Sequence, residues 1–171
     1  MKKIYLVLTH SGTIMSKIVR LYTRYTYSHV SLSLDKKISN MYSFGRRNVY
    51  NIFDGGFVIQ NKKSKFYKRF KNTKCIILEL SVSEEQYTDL KNILEEYKEN
   101  IDIYKYDIIG VFLRTFNIKL KRENYYYCTK FVKEVLESSN IYKFENDFIK
   151  PKDFMKIPNK VIYKGKLLNY L

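Results

Sequence analysis

Ser28-His29-Val30-Ser31-Leu32-Ser33-Leu34 alternates without a break: Val30, Leu32 and Leu34 fall on one side, His29, Ser31 and Ser33 on the other. A period of two is that of a half-buried β-strand, because successive side chains point to opposite faces of a sheet. Working outward, residues 4–8 (Ile-Tyr-Leu-Val-Leu) are a continuous apolar run suited to a buried strand. Between the two the period changes, and Ile14, Met15, Ile18, Val19 and Tyr22 form one helical stripe behind a Thr or Ser cap. Asp35-Lys36-Lys37 predicts a turn into a strand near Met41-Tyr42-Ser43-Phe44. Gly45 and Gly55-Gly56 bracket a loop before the strand Phe57-Val58-Ile59-Gln60, and Cys75-Ile76-Ile77-Leu78-Glu79-Leu80 is a further buried strand with Cys75 as a core residue.

Ser83-Glu84-Glu85-Gln86 is a capping box that opens a helix with the stripe Tyr87, Leu90, Leu94 and Tyr97. A second helix from about Tyr106 carries Ile108, Ile109, Phe112, Leu113 and Phe116 on one side. The third starts near Cys128, with Phe131, Val132, Val135 and Leu136 inward and Asn140 as its stop. Residues 161–168 predict a hairpin around Lys164-Gly165. Strands come in runs and helices come in runs, which predicts an α+β fold with an antiparallel sheet packed against helices rather than a doubly wound parallel sheet. At 171 residues the expectation is a single domain over 1–171.

Composition removes several classes of function. With 45% hydrophobic residues, 6 Gly and 2 Pro the chain is globular rather than disordered or fibrous. Two cysteines and two histidines supply neither a disulfide framework nor a four-ligand zinc site, so no metal and no cofactor is expected. The apolar run after Met1-Lys2-Lys3 is too short for a signal peptide, and nothing approaches a membrane span, so the expected location is cytoplasmic. Lys plus Arg is 32 against 17 acids, a net charge of +15, to which an AT-rich coding bias contributes. The charge is densest over residues 61–74, where Lys62, Lys63, Lys65, Lys68, Arg69, Lys71 and Lys74 are interleaved with Phe66, Tyr67 and Phe70 and no acid. Such a run is either a solvated loop whose rings pack on the body or a patch for an anionic membrane surface or nucleic acid.

The chemistry-bearing pair is Cys128 and His29. Cys128 falls in the first turn of its helix and shares the inward face of Phe131 and Val132. Unpaired N–H groups and the helix dipole at that end stabilise a thiolate, which predicts a thiol pKa below the ~8.5 of free cysteine. His29 sits on a strand face otherwise lined by serines, with room for an imidazole to meet a partner. Brought together, the two would be the nucleophile and base of a cysteine hydrolase; kept apart, each is an ordinary buried residue.

Tyr27-Ser28-His29-Val30-Ser31-Leu32-Ser33-Leu34-Asp35, together with Tyr126-Tyr127-Cys128-Thr129-Lys130-Phe131-Val132-Lys133-Glu134-Val135-Leu136, resembles the circularly permuted NlpC-like, papain-related family of the YiiX type. In that branch the histidine strand precedes the cysteine helix, as here, and the likeness extends to the opening strand, the helix after Thr13 and the Met41-Tyr42-Ser43-Phe44-Gly45-Arg46 segment. The resemblance implies a papain-like fold in which Cys128 attacks the carbonyl of an amide- or ester-bearing substrate, His29 moves the proton, and a polar group on the next strand orients the imidazole. Members are regarded as amidases, peptidases or acyl-group hydrolases and transferases, with the lecithin retinol acyltransferase group among the relatives. Where many relatives carry Glu, His, Asn or Gln as the orienting residue, this chain offers Ser43, with Tyr42 as the alternative and Gln60 as a substitute should its loop fold back. A hydroxyl stabilises imidazolium less than a carboxylate, so a catalytically weak or inactive module that docks anionic lipid or nucleic acid is the alternative reading. Of Tyr125, Tyr126 and Tyr127 before the nucleophile, Tyr127 is the candidate for the substrate pocket or oxyanion; Tyr42 and His10 are further substrate-binding candidates.

Overall fold

The structure, a computed structural model, describes residues 1–51, 53–114, 118 and 122–171. Its strands are β1 (Lys2–His10), β2 (His29–Ser33), β3 (Met41–Arg46), β4 (Gly55–Gln60), β5 (Lys74–Val82), β6 (Lys105–Tyr106), β7 (Tyr125–Tyr126) and β8 (Lys160–Lys166). Its helices are α1 (Ile14–Thr23), α2 (Lys65–Arg69), α3 (Glu84–Glu99), α4 (Ile108–Arg114) and α5 (Cys128–Ser138), with 3-10 turns at Pro151–Lys156 and Leu167–Asn169. The eight strands form one sheet in the order β7-β6-β4-β3-β2-β1-β5-β8, antiparallel at every step except the short parallel pair β6–β7. This is the mixed α+β architecture with a largely antiparallel sheet that the grouping of elements predicts.

The period-two patterns decide which side chains meet. On β1, Ile4, Leu6 and Leu8 join Val30, Leu32, Phe44 and Phe57 beneath Leu90 and Leu94 of α3 and Phe131, Val132, Val135 and Leu136 of α5. Tyr5 and Val7 point the other way, into a second core with Cys75, Ile77, Tyr67 of α2, Leu167 and Tyr170. The sheet is thus apolar on both faces, as the unbroken runs of β1 and β5 require. Ser83 caps α3 in the predicted reciprocal box with Gln86, Thr13 caps α1, and α5 ends before Asn140, which takes the left-handed conformation at φ 53.

Three expectations need correction. Residues 161–168 do not form a hairpin: Lys160–Lys166 is one strand paired with β5, and Gly165 lies opposite Cys75. Its missing Cβ serves a close approach rather than a turn, since a Cβ there would stand 2.7 Å from the Tyr163 hydroxyl, which folds back to donate to the Lys166 carbonyl at 2.8 Å. The α1 stripe is not core either; Ile14 and Leu21 are 77% and 82% exposed, and only Ser16 and Thr23 of that helix are buried. In α4, Ile109 and Phe112 are likewise exposed, and Phe116 lies outside the described residues. Among the described residues, no helix is long and apolar enough to cross a membrane.

One irregularity in the sheet positions the site. β3 and β4 pair along their full length, from Met41 opposite Gln60 to Arg46 opposite Gly55, whereas β2 and β3 are in register at Leu32 and Tyr42 alone. Towards Val30 and Gly45 the two strands part, and Ser43 fills the lost ladder position by donating its hydroxyl to the Val30 carbonyl at 2.7 Å.

Candidate functional site

Cys128 is the first residue of α5 and arrives there from β7, whose pairing with β6 sets Tyr126 beside Tyr106. Its sulfur sits against the parted strands: the backbone N–H of Val30, next to His29, acts on the thiol together with the N–H groups of Thr129 and Cys128 itself. These three donors favour the thiolate, as a helix start should. Burial outweighs them and pushes the thiol up to about 11, which corrects the expectation of a lowered pKa. Cys128 and Cys75 are therefore both protonated at neutral pH, Cys75 being pushed up to about 12 inside the second core.

His29 opens β2 opposite Thr9 of β1. Its ring lies over β3 at Gly45, where a Cβ would stand 3.8 Å from its Cε1. Desolvation lowers its pKa to about 4, so the imidazole is neutral above that pH. No hydrogen bond to another described residue fixes its tautomer, and the neutral ring faces a recess.

Two recesses meet here. A small one of about 100 Å³ is walled by His29, Thr9, Ser28, Gly45, Arg46 and Gln60. A larger one of about 300 Å³ holds Cys128 and Tyr127, with Val19, Ile108, Phe112 and Ile149 among its apolar walls. Met15, Val19, Ser28, Tyr106 and Ile108 line both, so the imidazole side and the sulfur side are neighbours that share walls.

The other sequence-derived candidates divide. Tyr127 lines the sulfur side, and Gln60 reaches the imidazole side from β4 without any loop folding back. Ser43 shares the face of His29 but its hydroxyl is given to Val30, so it ties strands together instead of orienting the ring. Tyr42 points to the opposite face, stacked near Phe57 and within reach of Glu95 on α3, and leaves the site altogether. His10 stands behind the cavity wall, its Nδ1 3.4 Å from the Ser28 hydroxyl. Tyr125 and Tyr126 turn elsewhere: Arg122 stacks on the Tyr125 ring, and the Tyr126 hydroxyl donates to Glu134 at 3.1 Å.

In the basic run, Tyr67 is buried, Phe66 packs against the second core and the Phe70 ring lies tilted against Phe66, centroids 4.9 Å apart. The rings thus face the body while most of the cations face outward. Lys62 differs, bonding the Tyr170 carbonyl.

Sequence reasoning missed Tyr106 and Arg46. Tyr106 precedes α4 and lines both recesses; burial, with Cys128 close by, raises its phenol well above the ordinary value and keeps it an O–H donor. Gly55 permits this placement, because a Cβ there would stand 2.7 Å from the Tyr106 Cβ. Only the lack of a side chain at Gly55 hinted at it in the sequence. Among the described residues, no group of three or more His, Cys, Asp or Glu could hold a metal ion. Compared with known proteins, the chain matches no family model, and no curated protein sequence matches it.

Proposed function

We propose that the protein is a thiol hydrolase or acyltransferase of the permuted papain-like type, working through a thioester on Cys128. The observation that carries this reading is the seating of Cys128, at a helix start, against the backbone of Val30, the residue after His29, in a recess that shares walls with the one His29 lines. The order of the histidine strand and the cysteine helix along the chain agrees with it. His29 takes the thiol proton as the sulfur attacks the carbonyl carbon, and returns it to the leaving alkoxide or amine. Water, or a second acceptor, then attacks the thioester with His29 again as base, and the thiol is restored. The N–H of Cys128 and the protonated Tyr106 phenol are the candidates for stabilising the oxyanion, and Gln60 replaces Ser43 as the candidate to orient the imidazole. Since thiol and imidazole are both neutral at rest, the ion pair forms only with attack.

The test is the trapping of an acyl adduct. Incubation with p-nitrophenyl acetate should add one acetyl group to Cys128, seen by peptide mass spectrometry, and none to Cys75; Cys128→Ala and His29→Ala should lose the burst of nitrophenol. Labelling of Cys75 and Cys128 alike, or a burst that survives Cys128→Ala, would sink the assignment. The neutral resting pair and the committed Ser43 hydroxyl favour one second reading, a binding module that has lost catalysis. That reading predicts salt-sensitive binding to anionic vesicles or RNA through the basic face, unchanged in Cys128→Ala.

A further inference from the structure

β1 and β5 lie side by side from Lys2 opposite Val82 to His10 opposite Lys74, and β8 extends the row at the far end with Lys166 opposite Lys74. The two ends of this pairing treat charge differently. At the near end Lys2 meets Glu84 at 3.6 Å and Lys3 meets Glu79 at 3.4 Å. At the far end His10, Lys74 and Lys166 stand directly opposite one another on three neighbouring strands. Residues opposite in register point to the same face, so the three side chains share one side of the sheet, and Lys164 returns to it two residues before Lys166. Like charges directly opposite one another destabilise a sheet. No ion pair among the described residues involves any of these four, nor Lys17 or Arg20 of α1.

His10 registers the same gathering. Its imidazole is held below the ordinary histidine value by burial and then by Arg20, Lys74 and Lys17, so the charges acting on it are all cationic. Its hydrogen-bonding neighbour is neutral, the Ser28 hydroxyl 3.4 Å from Nδ1, and Lys166 likewise donates to a neutral group, the Asn72 Oδ1 at 3.1 Å. An excess of lysine raises the charge everywhere in this chain, but the contrast between the two ends of the same strands is local. None of the six basic residues lines the recesses beside Cys128, His29 or Arg46, so the cluster is separate from that cleft.

We propose that this end of the sheet binds a chain of linked phosphates, held by His10, Lys74 and Lys166 across the strands, with Lys17 and Arg20 adding charge beside His10. Ammonium, imidazolium and guanidinium groups make strong charge-assisted bonds to phosphate oxygens. Neighbouring strands are about 4.8 Å apart, so the three positions extend over about 10 Å; one phosphate meets one or two of them, and two or three phosphates in a row meet them all. A single-stranded nucleic acid offers a similar backbone, but sites for it add aromatic rings on which bases stack. Here the rings of the adjoining segments, Phe66, Tyr67 and Tyr163, pack on the second core instead. The phosphates are therefore those of a free chain or a small molecule that carries one. The site stands whether or not Cys128 and His29 react.

Calorimetric titration with sodium triphosphate, in metal-free buffer at pH 7 and low salt, tests this against orthophosphate and adenosine triphosphate. We expect triphosphate to bind at least tenfold more tightly than orthophosphate, and Lys74→Gln and Lys166→Gln each to weaken it at least threefold. Lys65→Gln and Lys68→Gln, on α2, should leave it unchanged. A bound anion offsets Lys17, Arg20 and Lys74 around His10 and raises its pKa, so binding takes up a proton and tightens as pH falls from 8 to 6. The same titration on His10→Gln removes the share that comes from the phosphates' own ionisation. A further readout needs no ligand: Lys74→Gln relieves the repulsion and should raise the urea midpoint, a gain that triphosphate cancels by stabilising the wild type more. Adenosine triphosphate binding more tightly than triphosphate points to a nucleotide, and binding no more tightly to a free phosphate chain; either supports the proposal. Triphosphate bound no better than orthophosphate, or weakened as much by the α2 variants as by Lys74→Gln and Lys166→Gln, overturns it. A midpoint that fails to rise in Lys74→Gln shows that there is no repulsion for an anion to relieve, and overturns it as well. So does a short oligoribonucleotide that binds more tightly than triphosphate and loses affinity in the same variants, which would make this a nucleic-acid surface.

Discussion

α1 and α5 look alike in sequence and differ in what they cover. Both carry an apolar stripe at helical spacing, yet α5 buries Phe131, Val132, Val135 and Leu136 completely, while α1 leaves Ile14 and Leu21 about four-fifths exposed. A stripe states which face of a helix is apolar, not whether a sheet or an opening lies against it. α5 lies across β2 and β3, where an aromatic nest of Phe44, Phe57, Tyr97 and Phe131 closes the space with ring centroids 5.0–6.0 Å apart. α1 instead turns Met15, Ile18, Val19 and Tyr22 towards a recess. Cys128 sits at the border, its helix anchored in the packed region and its sulfur facing the open one. That arrangement holds the sulfur rigidly and leaves open space beside it.

The contrast predicts a large difference in mutational cost. Phe131→Ala removes a fully buried ring from the nest and should lower unfolding free energy by about 3–5 kcal/mol, read by urea denaturation. Val19→Ala, on the half-buried recess side of α1, should cost under ~1.5 kcal/mol because the space beside it is already open. Equal losses at the two positions would mean that the recess is filled by side chains in solution, and the distinction between packed and open ends would fall.

The next effect is electrostatic and belongs to the border. The His29 pKa is about 4 in the folded chain against about 6.5 unfolded, so on acidification the unfolded chain takes up its proton first. Stability from this group is complete above pH 6.5 and is lost as pH falls through 6.5 towards 4, by roughly 3 kcal/mol at most. His10 is lowered as well, by burial and then by Arg20, Lys74 and Lys17, so it adds a slope of the same sign. The quantity to measure is therefore the difference between wild type and His29→Asn across that window. A difference that stays flat from pH 7 to 4 would mean that water reaches the ring and that the imidazole recess is not closed.

Long elements with a clean period were readable in the sequence because one residue type per turn or per pleat suffices to mark them: β1, β2, β5, α3 and α5 all lie where their patterns put them. β6, β7 and α2 were not, being two to five residues long and held by tertiary contacts instead of a pattern of their own. The site divides along the same line. Cys128 and His29 were legible from local motifs. The inward turn of Gln60 follows from the β3–β4 register, the loss of Ser43 to Val30 from the broken β2–β3 ladder, and the arrival of Tyr106 beside Gly55 from the β4–β6 pairing, none of which a local pattern records. The thiol pKa failed for a related reason. Helix-start donors are local and visible, whereas the burial that outweighs them comes from the whole fold.

The smallest expected effect tests the comparison from its other side. Leu21 projects from α1 with 82% of its surface in solvent, so Leu21→Ser removes an apolar side chain that the fold does not use. Substitutions away from packed features stay within about 0.5 kcal/mol, and this one should too. Serine also has a lower helix propensity than leucine, which adds a few tenths of a kcal/mol of destabilisation unrelated to packing. A loss of 1.5 kcal/mol or more would exceed both contributions and require that Leu21 be covered in solution. A second molecule is the cover to test first, since among the described residues nothing lies over it. Stability should then rise with protein concentration, and sedimentation should show association that Leu21→Ser abolishes. Stability independent of concentration, with a change under 0.5 kcal/mol, leaves α1 as a wall with one side on the recess and the other in water.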